Sequence, residues 1–474
     1  MSEQLLLQGQ LLGIEEFLLT PSGISDTDGE DLLPGRSMWV ALLCEVLPRA
    51  LLAELGLPRI MLGSSGGGQF LLLLPETARA AAESVLESAA AQIATLGSSS
   101  LRLIWSGTEN LGDWTVVRKR LNDELRRKKD APLAAGVQGV FEAFDAAAPK
   151  PGAEFTAHLG ANIRQASSVG WSPESPARIL IGEGKHNWKL TPNLSLEGIT
   201  LARHAAPSDE GSGPADLATL AARAQGRQIW GVLRGDVDSF GIRLRRVASI
   251  EEHVQISVLY KQFLENELEV LCSLPEFWRK VTILHSGGDD FAVFGAWDAL
   301  VALAREMQRL FSRFTEENLK DFPGAEGKTI TMALAVAPEV NASLSSVYSA
   351  AGADLERAKT TGRDCCYLLG RTLEWKRLSD AADLKDTLLR MAAQFRSSKQ
   401  FLFELRGLYG KPGSQKIWRF QRRLSAILSG SRDREVQKMR ARLVNEIIGR
   451  YKTEVNLRPA SLVALEWARL ASEI

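Results

Sequence analysis

Cysteine is scarce in this chain of 474 residues. Cys44, Cys272, Cys365 and Cys366 form no CxxC pair and no zinc-ligand spacing, which excludes a disulfide-stapled fold and fits a reducing, cytoplasmic setting. No apolar run approaches the ~18 residues that a membrane span needs. The amino-terminal MSEQLLLQGQLLG lacks the basic start and long apolar core of a secretion signal. An excess of charge is missing too: Lys+Arg and Asp+Glu balance at 57 each, so any nucleic-acid surface must be a local patch. The five histidines, His158, His186, His204, His253 and His285, are scattered and read as structural rather than as ligands. What remains, with 45% hydrophobic residues and few low-complexity runs, is a globular chain long enough for three or four domains.

The informative stretch is Val281–Phe294, VTILHSGGDDFAVF. Alternating β-branched and apolar residues predict two strands joined by a turn at which Gly287 and Gly288 can take positive φ. Asp289 and Asp290 leave that turn side by side. Paired carboxylates repel unless a cation sits between them, so a divalent metal handling a phosphate explains them economically. Upstream, Ile229–Phe240 (IWGVLRGDVDSF) is an apolar strand ending in Asp236 and Asp238. Downstream, Ala353–Arg363 (ADLERAKTTGR) is a helix with Lys359 near its end. In order and spacing, the strand-end carboxylate, hairpin carboxylates and helical lysine resemble the βαββαβ palm of nucleotide polymerases and cyclases.

The same frame occurs earlier without its acids. Ser65-Gly66-Gly67-Gly68-Gln69-Phe70 aligns with Ser286-Gly287-Gly288-Asp289-Asp290-Phe291, and Leu7-Gln8-Gly9-Gln10 aligns with Leu233-Arg234-Gly235-Asp236. Two losses of carboxylate in register mark an internal repeat. The expected fold class is therefore α+β: two ferredoxin-like palms, a small domain between them and an all-α carboxy-terminal domain. The expected boundaries are 1–150 for the neutral palm, 151–225, 226–370 for the acidic palm, and 371–474. Ser37–Leu55 reads as an amphipathic helix on Trp39, Leu42, Leu43, Val46 and Leu47. The run Arg118-Lys119-Arg120 and Arg126–Lys129 reads as a solvated face, with nucleic acid as the alternative. The tail reads as helices at Ala381–Phe395, Lys399–Tyr409, Gln415–Leu428, Asp433–Tyr451 and Ser461–Ile474. Arginines 419, 422, 423, 432, 434, 440 and 442 and Lys438, with Trp418 and Phe420 interleaved, fit either an acidic partner or RNA backbone, or plain surface solubility.

A degenerate palm followed by one carrying SGGDD resembles the large subunit of type III CRISPR–Cas effector complexes, the CRISPR polymerase family. GIEEF (13–17), Pro34–Ser37, SGGGQF, FTAHLGANIRQA (155–166), Gly235–Asp238, SGGDD and the Lys359 helix carry the resemblance across nearly the whole length. It implies an ATP-dependent cyclic oligoadenylate synthase. CRISPR RNA and target RNA are the implied activators, and sister backbone, small and RNA-end-capping subunits the implied partners. Asp236, Asp289 and Asp290 would be catalytic and would hold two Mg or Mn ions. Ser286, Gly287, Gly288 and Lys359 would contact nucleotide; Asp238 is a weaker ligand candidate, turned by strand alternation to the same face as Asp236, with bracing of the turn as the alternative. Ser65, Gly66 and Gly67 would hold the acceptor ATP in the neutral palm.

Two departures stand against the family pattern. No His-Asp doublet occurs and the first palm starts within ten residues of Met1, so the DNase activity of many relatives is not expected. The paired zinc-binding cysteines of many relatives are also missing, so the region between the palms must rely on ordinary packing. Two other readings remain open: a catalytically silent scaffold of the same complex, and a diguanylate-cyclase-like enzyme. The latter has a helix closely similar to ADLERAKTTGR but a glutamate where Asp290 stands, and works as a homodimer of single palms.

Overall fold

The computed structural model describes residues 3–20, 32–130, 151–191, 197–209, 213–393 and 459–473, with isolated positions 211, 402, 403, 406, 422, 434 and 438. The first unit runs β1 (Gln4–Leu12), α1 (Ile14–Leu19), α2 (Leu32–Glu54), β2 (Leu62–Gly66), β3 (Gln69–Pro75), α3 (Arg79–Leu96), β4 (Arg102–Glu109) and α4 (Trp114–Asp130). Its sheet order is β2-β3-β1-β4. Between the palms lie α5 (Pro151–Ile163), β5 (Ser168–Trp171), β6 (Leu180–Ile181), β7 (His186–Thr191), β8 (Gly198–Thr200) and α6 (Leu217–Ala222). These four strands form their own sheet, order β6-β5-β7-β8, stapled to the first palm where the Trp39 indole donates to the Ala177 carbonyl at 2.8 Å.

The second unit runs β9 (Trp230–Val237), α7 (Phe240–Arg246), α8 (Ile250–Lys261), a π-helical segment over Gln262–Glu267, and α9 (Leu268–Cys272). It continues with β10 (Val281–Gly287), β11 (Asp290–Ala296), α10 (Trp297–Asn318), β12 (Ile330–Val336), α11 (Leu344–Thr361), β13 (Cys365–Leu368) and β14 (Arg371–Glu374). The order β10-β11-β9-β12 repeats that of the first sheet, extended by β13 and β14. Two helices follow among the described residues, α12 (Trp375–Ala392) and α13 (Pro459–Ser472), packed on each other.

The internal repeat holds at the level of single pairings. Gly9 faces Phe70 and Gln10 faces Gln69 in the first sheet; Gly235 faces Phe291 and Asp236 faces Asp290 in the second. Both hairpins carry a register shift at the same place, Leu62/Ser64 and Ile283/His285. Each glycine lies under its phenylalanine ring: a β-carbon at Gly9 would stand 2.1 Å from Phe70, and one at Gly235 2.3 Å from Phe291. The ring fills the space that a side chain would need, and the strand opposite the hairpin tip is therefore glycine in both copies.

Several expectations need correction. The helix α2 is buried on all sides rather than amphipathic, because β10 of the second palm and α5 cover the face that its own sheet leaves free. Of the two glycines in the acidic turn only Gly288 takes positive φ, at +68°. The strand β14 follows β13 and forms the edge of the second sheet. The tail helices expected over Lys399–Tyr409, Gln415–Leu428 and Asp433–Tyr451, with their arginines and Trp418 and Phe420, lie outside the described residues apart from isolated positions. Among the described residues no helix is long and apolar enough to cross a membrane.

Candidate active site between the two hairpins

Strand pairing sets the acidic floor. Asp236 at the end of β9 is directly opposite Asp290 at the start of β11, and the Asp289 carbonyl at the turn accepts from the Val237 amide at 2.8 Å. Helix α11, capped at its start by the Ser343 hydroxyl, packs on β9 and β12 and brings Lys359 to this floor. The Lys359 ammonium lies 3.2 Å from Asp236 Oδ2 and 2.9 Å from Glu356 Oε1.

Electrostatics distinguishes the three acids. Burial and the neighbouring carboxylates raise Asp289 to about 7. Burial likewise raises Asp236 to about 6, although Lys359 opposes it. Burial pushes Asp290 upward as well, but His285, Arg234 and Lys359 together outweigh it and hold the carboxyl below its usual value. Two carboxyls pushed upward beside a third that stays ionised form a site short of positive charge. An oxygen-donor set of this kind suits a hard divalent ion such as Mg or Mn. Among the described residues no group of three or more His, Cys, Asp or Glu side chains converges as a ready-made metal cluster. The acids are neighbours in register, with Lys359 on Asp236 and His285 on Asp290.

Two expected contacts are placed elsewhere. Asp238 is buried and fully committed: its Oδ1 accepts from Thr331 Oγ1 at 2.7 Å, and its Oδ2 from Thr329 Oγ1 at 2.7 Å and the Asp364 amide at 2.9 Å. It braces the loop behind β9 instead of facing the open floor. The Ser286 hydroxyl is turned into the core, donating to the Leu264 carbonyl of the π-helical segment at 2.5 Å. Its counterpart Ser65 does line the cleft, together with Gly66, Gly67 and Gly288.

The two hairpin tips touch. A β-carbon at Gly67 would stand 2.8 Å from the Gly288 α-carbon, and one at Gly288 2.7 Å from the Gly67 α-carbon, so only glycine permits this approach. Beside the tips opens a cleft of about 460 Å³ that includes Ser65, Gly66, Gly67, Gln69, Lys261, Gly288 and Asp289. Neutral and acidic palms thus share one cavity.

Sequence reading missed three groups here. His285 was taken as structural, yet its Nε2 lies 3.3 Å from Asp290 Oδ2 and its Nδ1 is buried with no partner. Its place one residue before SGGDD was the available signal. Lys261 lies in a stretch that carried no motif; its ammonium is 2.6 Å from Glu45 Oε1 of α2 and donates to Ser65 Oγ at 3.2 Å. Arg118, taken for a solvated face, donates to the Leu244 and Arg245 carbonyls at the end of α7 and links the palms.

Comparison with known proteins agrees with this architecture. Residues 229–367 match the family described as Cas10/Cmr2, second palm domain, and residues 3–108 match Csm1 subunit domain B. A Cas10/Csm1 single-strand-specific deoxyribonuclease of a subtype III-A CRISPR system, from Mycobacterium tuberculosis, is 25% identical over 390 residues, covering 65% of this chain and 48% of its own length. The counterpart from Thermococcus onnurineus is 22% identical over 448 residues, covering 78% and 55%. The chain spans about half the length of the curated relatives it matches. Among solved structures, the apo Csm1–Csm4 cassette superposes with a TM-score of 0.71 at 18% identity, over 99% of this chain and 70% of that one. The same cassette with cA4 gives 0.69 at 18% identity, with the same coverage. With the Csm1 domain B and Cas10/Cmr2 second palm models matched in order, together over about half of the chain, the chain belongs to the Cas10/Csm1 family.

Proposed function

We propose that this chain joins ATP into cyclic oligoadenylates within a type III CRISPR effector complex when target RNA pairs with the CRISPR RNA. The observation that carries the reading is the asymmetry of two palms paired in the same register: carboxylates at 236, 289 and 290 in one, Gln10, Gly68 and Gln69 in the other, with the hairpin tips in contact. One palm then performs chemistry while the other only holds a nucleotide. Solved relatives bound to cA4, to ATP and to pppApA support the same substrate class.

Asp236, Asp289 and Asp290 would hold the Mg or Mn ions, which supply Lewis acidity toward phosphate oxygens and a more acidic attacking 3′-hydroxyl. The rest is positioning by the chain itself. Lys359, hinged between Asp236 and Glu356, can leave one carboxylate for a phosphate oxygen as a mobile point charge. The Gly287 and Gly288 amides on one tip and Ser65, Gly66 and Gly67 on the other let phosphate groups approach the backbone closely. His285 fixes the Asp290 carboxylate from behind. Sister backbone, small and RNA-end-capping subunits would deliver the RNA signal, and the cytoplasm is the compartment this chemistry requires.

The test is incubation of the assembled complex with labelled ATP, Mg or Mn and matching target RNA, followed by mass spectrometry. Cyclic adenylates support the reading; a GTP-derived cyclic dinucleotide would favour a diguanylate-cyclase-like enzyme, and absence of product a scaffold.

A further inference from the structure

The acidic floor has a second row of side chains behind it. Arg234 stands two residues before Asp236 on β9, so alternation puts both on one face of the sheet. Its strand neighbours in that row are Ala292 and Ala333, small residues that leave the long side chain room. Helix α11 covers it. Tyr348 and Gly352 lie one turn apart on a single helix face, and Lys359, two turns further, meets Asp236. The central carbon of the Arg234 guanidinium is 4.2 Å from the centre of the Tyr348 ring. A β-carbon at Gly352 would stand 2.3 Å from Arg234 Nη1, so this glycine, a residue that weakens a helix interior, makes the slot.

The other palm supplies the anion for that slot. Glu15 Oε1 of α1 lies 3.2 Å from Arg234 Nη1. The Glu15 side chain is mostly exposed and that of Arg234 largely buried, and a pair of this kind adds little to stability. What it fixes is the location of a charge. The internal repeat shows where that charge could otherwise go. Gln8 occupies the Arg234 position in the neutral palm, and its amide donates to Gln69 Oε1 at 3.2 Å, Gln69 standing where Asp290 stands. A side chain at this strand position therefore reaches the hairpin residue diagonally across from it. Arg234 is longer than Gln8, yet it pairs with Glu15, while Asp290 takes His285. Even from its slot, and against the push of burial, Arg234 joins His285 in holding the Asp290 carboxyl below its usual value. At closer range the guanidinium would occupy the carboxylate oxygens that a divalent ion needs.

We infer that Glu15 is a positioning residue that the first palm lends to the floor of the second: it holds the Arg234 guanidinium against Tyr348 and thereby leaves the Asp290 carboxylate open to a divalent ion. The neutral palm then prepares the metal site of its neighbour, and separation of the palms frees Arg234 to close that site. The inference rests on the metal reading of the acidic floor and adds the contact through which palm docking controls it.

Binding of Mn(II) to the full-length chain, followed by the electron paramagnetic resonance signal of the free ion, tests this. Glu15→Gln weakens Mn(II) binding about 3- to 5-fold, what a partly exposed ion pair near the top of its usual range is worth. Arg234→Gln, which copies Gln8, restores wild-type affinity or better when combined with Glu15→Gln. Tyr348→Leu removes the stacking ring, frees the same guanidinium and weakens Mn(II) in the same direction; it serves if the Arg234 variant melts early. Unchanged affinity in folded Glu15→Gln or Tyr348→Leu overturns the inference. So does an equal loss from Glu15→Gln in the Arg234→Gln background, since Glu15 would then act only as a distant negative charge. A wild type that binds no Mn(II) overturns the metal assignment of the floor itself, which sets the two failures apart.

Discussion

Replacing Lys261 by methionine interrogates the joint between the palms. Glu45 is 2% exposed, and its carboxylate is held well below the usual range, against the push of burial, by Lys261 at 2.6 Å and Arg49 at 2.8 Å. Removing one partner of a buried ion pair costs about 3–5 kcal/mol because the remaining charge is left in low dielectric. Arg49 stays in contact, so the cost for Lys261→Met is placed at about 2–4 kcal/mol. The nearby Glu265, fully enclosed and raised by burial to about 8, adds no compensating charge at neutral pH. Urea unfolding measures the loss as a lower midpoint at unchanged slope. Glu45→Gln combined with Lys261→Met removes the stranded carboxylate, so the double variant regains about 1–3 kcal/mol relative to the sum of the singles. Additive single effects, or a loss below about 1 kcal/mol for Lys261→Met, would refute the idea that this buried pair couples the palms.

Three further outcomes follow from the geometry. Asp289 and Asp236 have folded values above those of the free chain, so their contribution to stability is full below about pH 4 and is lost as pH rises through 6 and 7. In the absence of divalent ions, Asp289→Asn therefore stabilises the chain by about 2 kcal/mol at pH 8, after discounting for solvent, and by nothing at pH 4; denaturant midpoints at both pH values check it. Asp introduced at Gly68 meets a backbone at φ +77° and a β-carbon position 2.8 Å from Ile14 Cδ1, so Gly68→Asp costs about 1–3 kcal/mol in thermal unfolding and creates no second active palm. Lys359→Met raises the KM for ATP about tenfold or more in steady-state assays, the worth of one charge-assisted bond, while the far-ultraviolet spectrum is unchanged.

Much of the fold was legible because the palm announces itself locally. A glycine turn flanked by alternating apolar residues fixes a hairpin, and pairing then places Asp236 opposite Asp290 without further information. The neutral copy was legible for the same reason, since Gly9 under Phe70 repeats Gly235 under Phe291. Tertiary contacts were not. Helix α2 has an apolar face for its own sheet, but nothing in its periodicity says that the second palm and α5 cover the rest. Asp238 alternates correctly for the floor and is diverted by Thr329 and Thr331, a choice that only the packing of β12 reveals. Ser65 and Ser286 are identical in the sequence frame, yet the π-helical carbonyl of Leu264 captures one hydroxyl and Lys261 meets the other. The run of residues 247–272 carried no motif at all, because Lys261 gains meaning only when Glu45 of the other palm stands opposite.

The most direct measurement is oligoadenylate synthesis by the assembled, target-activated complex carrying Asp289→Ala and Asp290→Ala. An intact complex, unaltered RNA capture and no cyclic adenylate are expected, against clear production by the wild type. Continued synthesis by the double variant would place the chemistry elsewhere and contradict the assignment of the acidic hairpin.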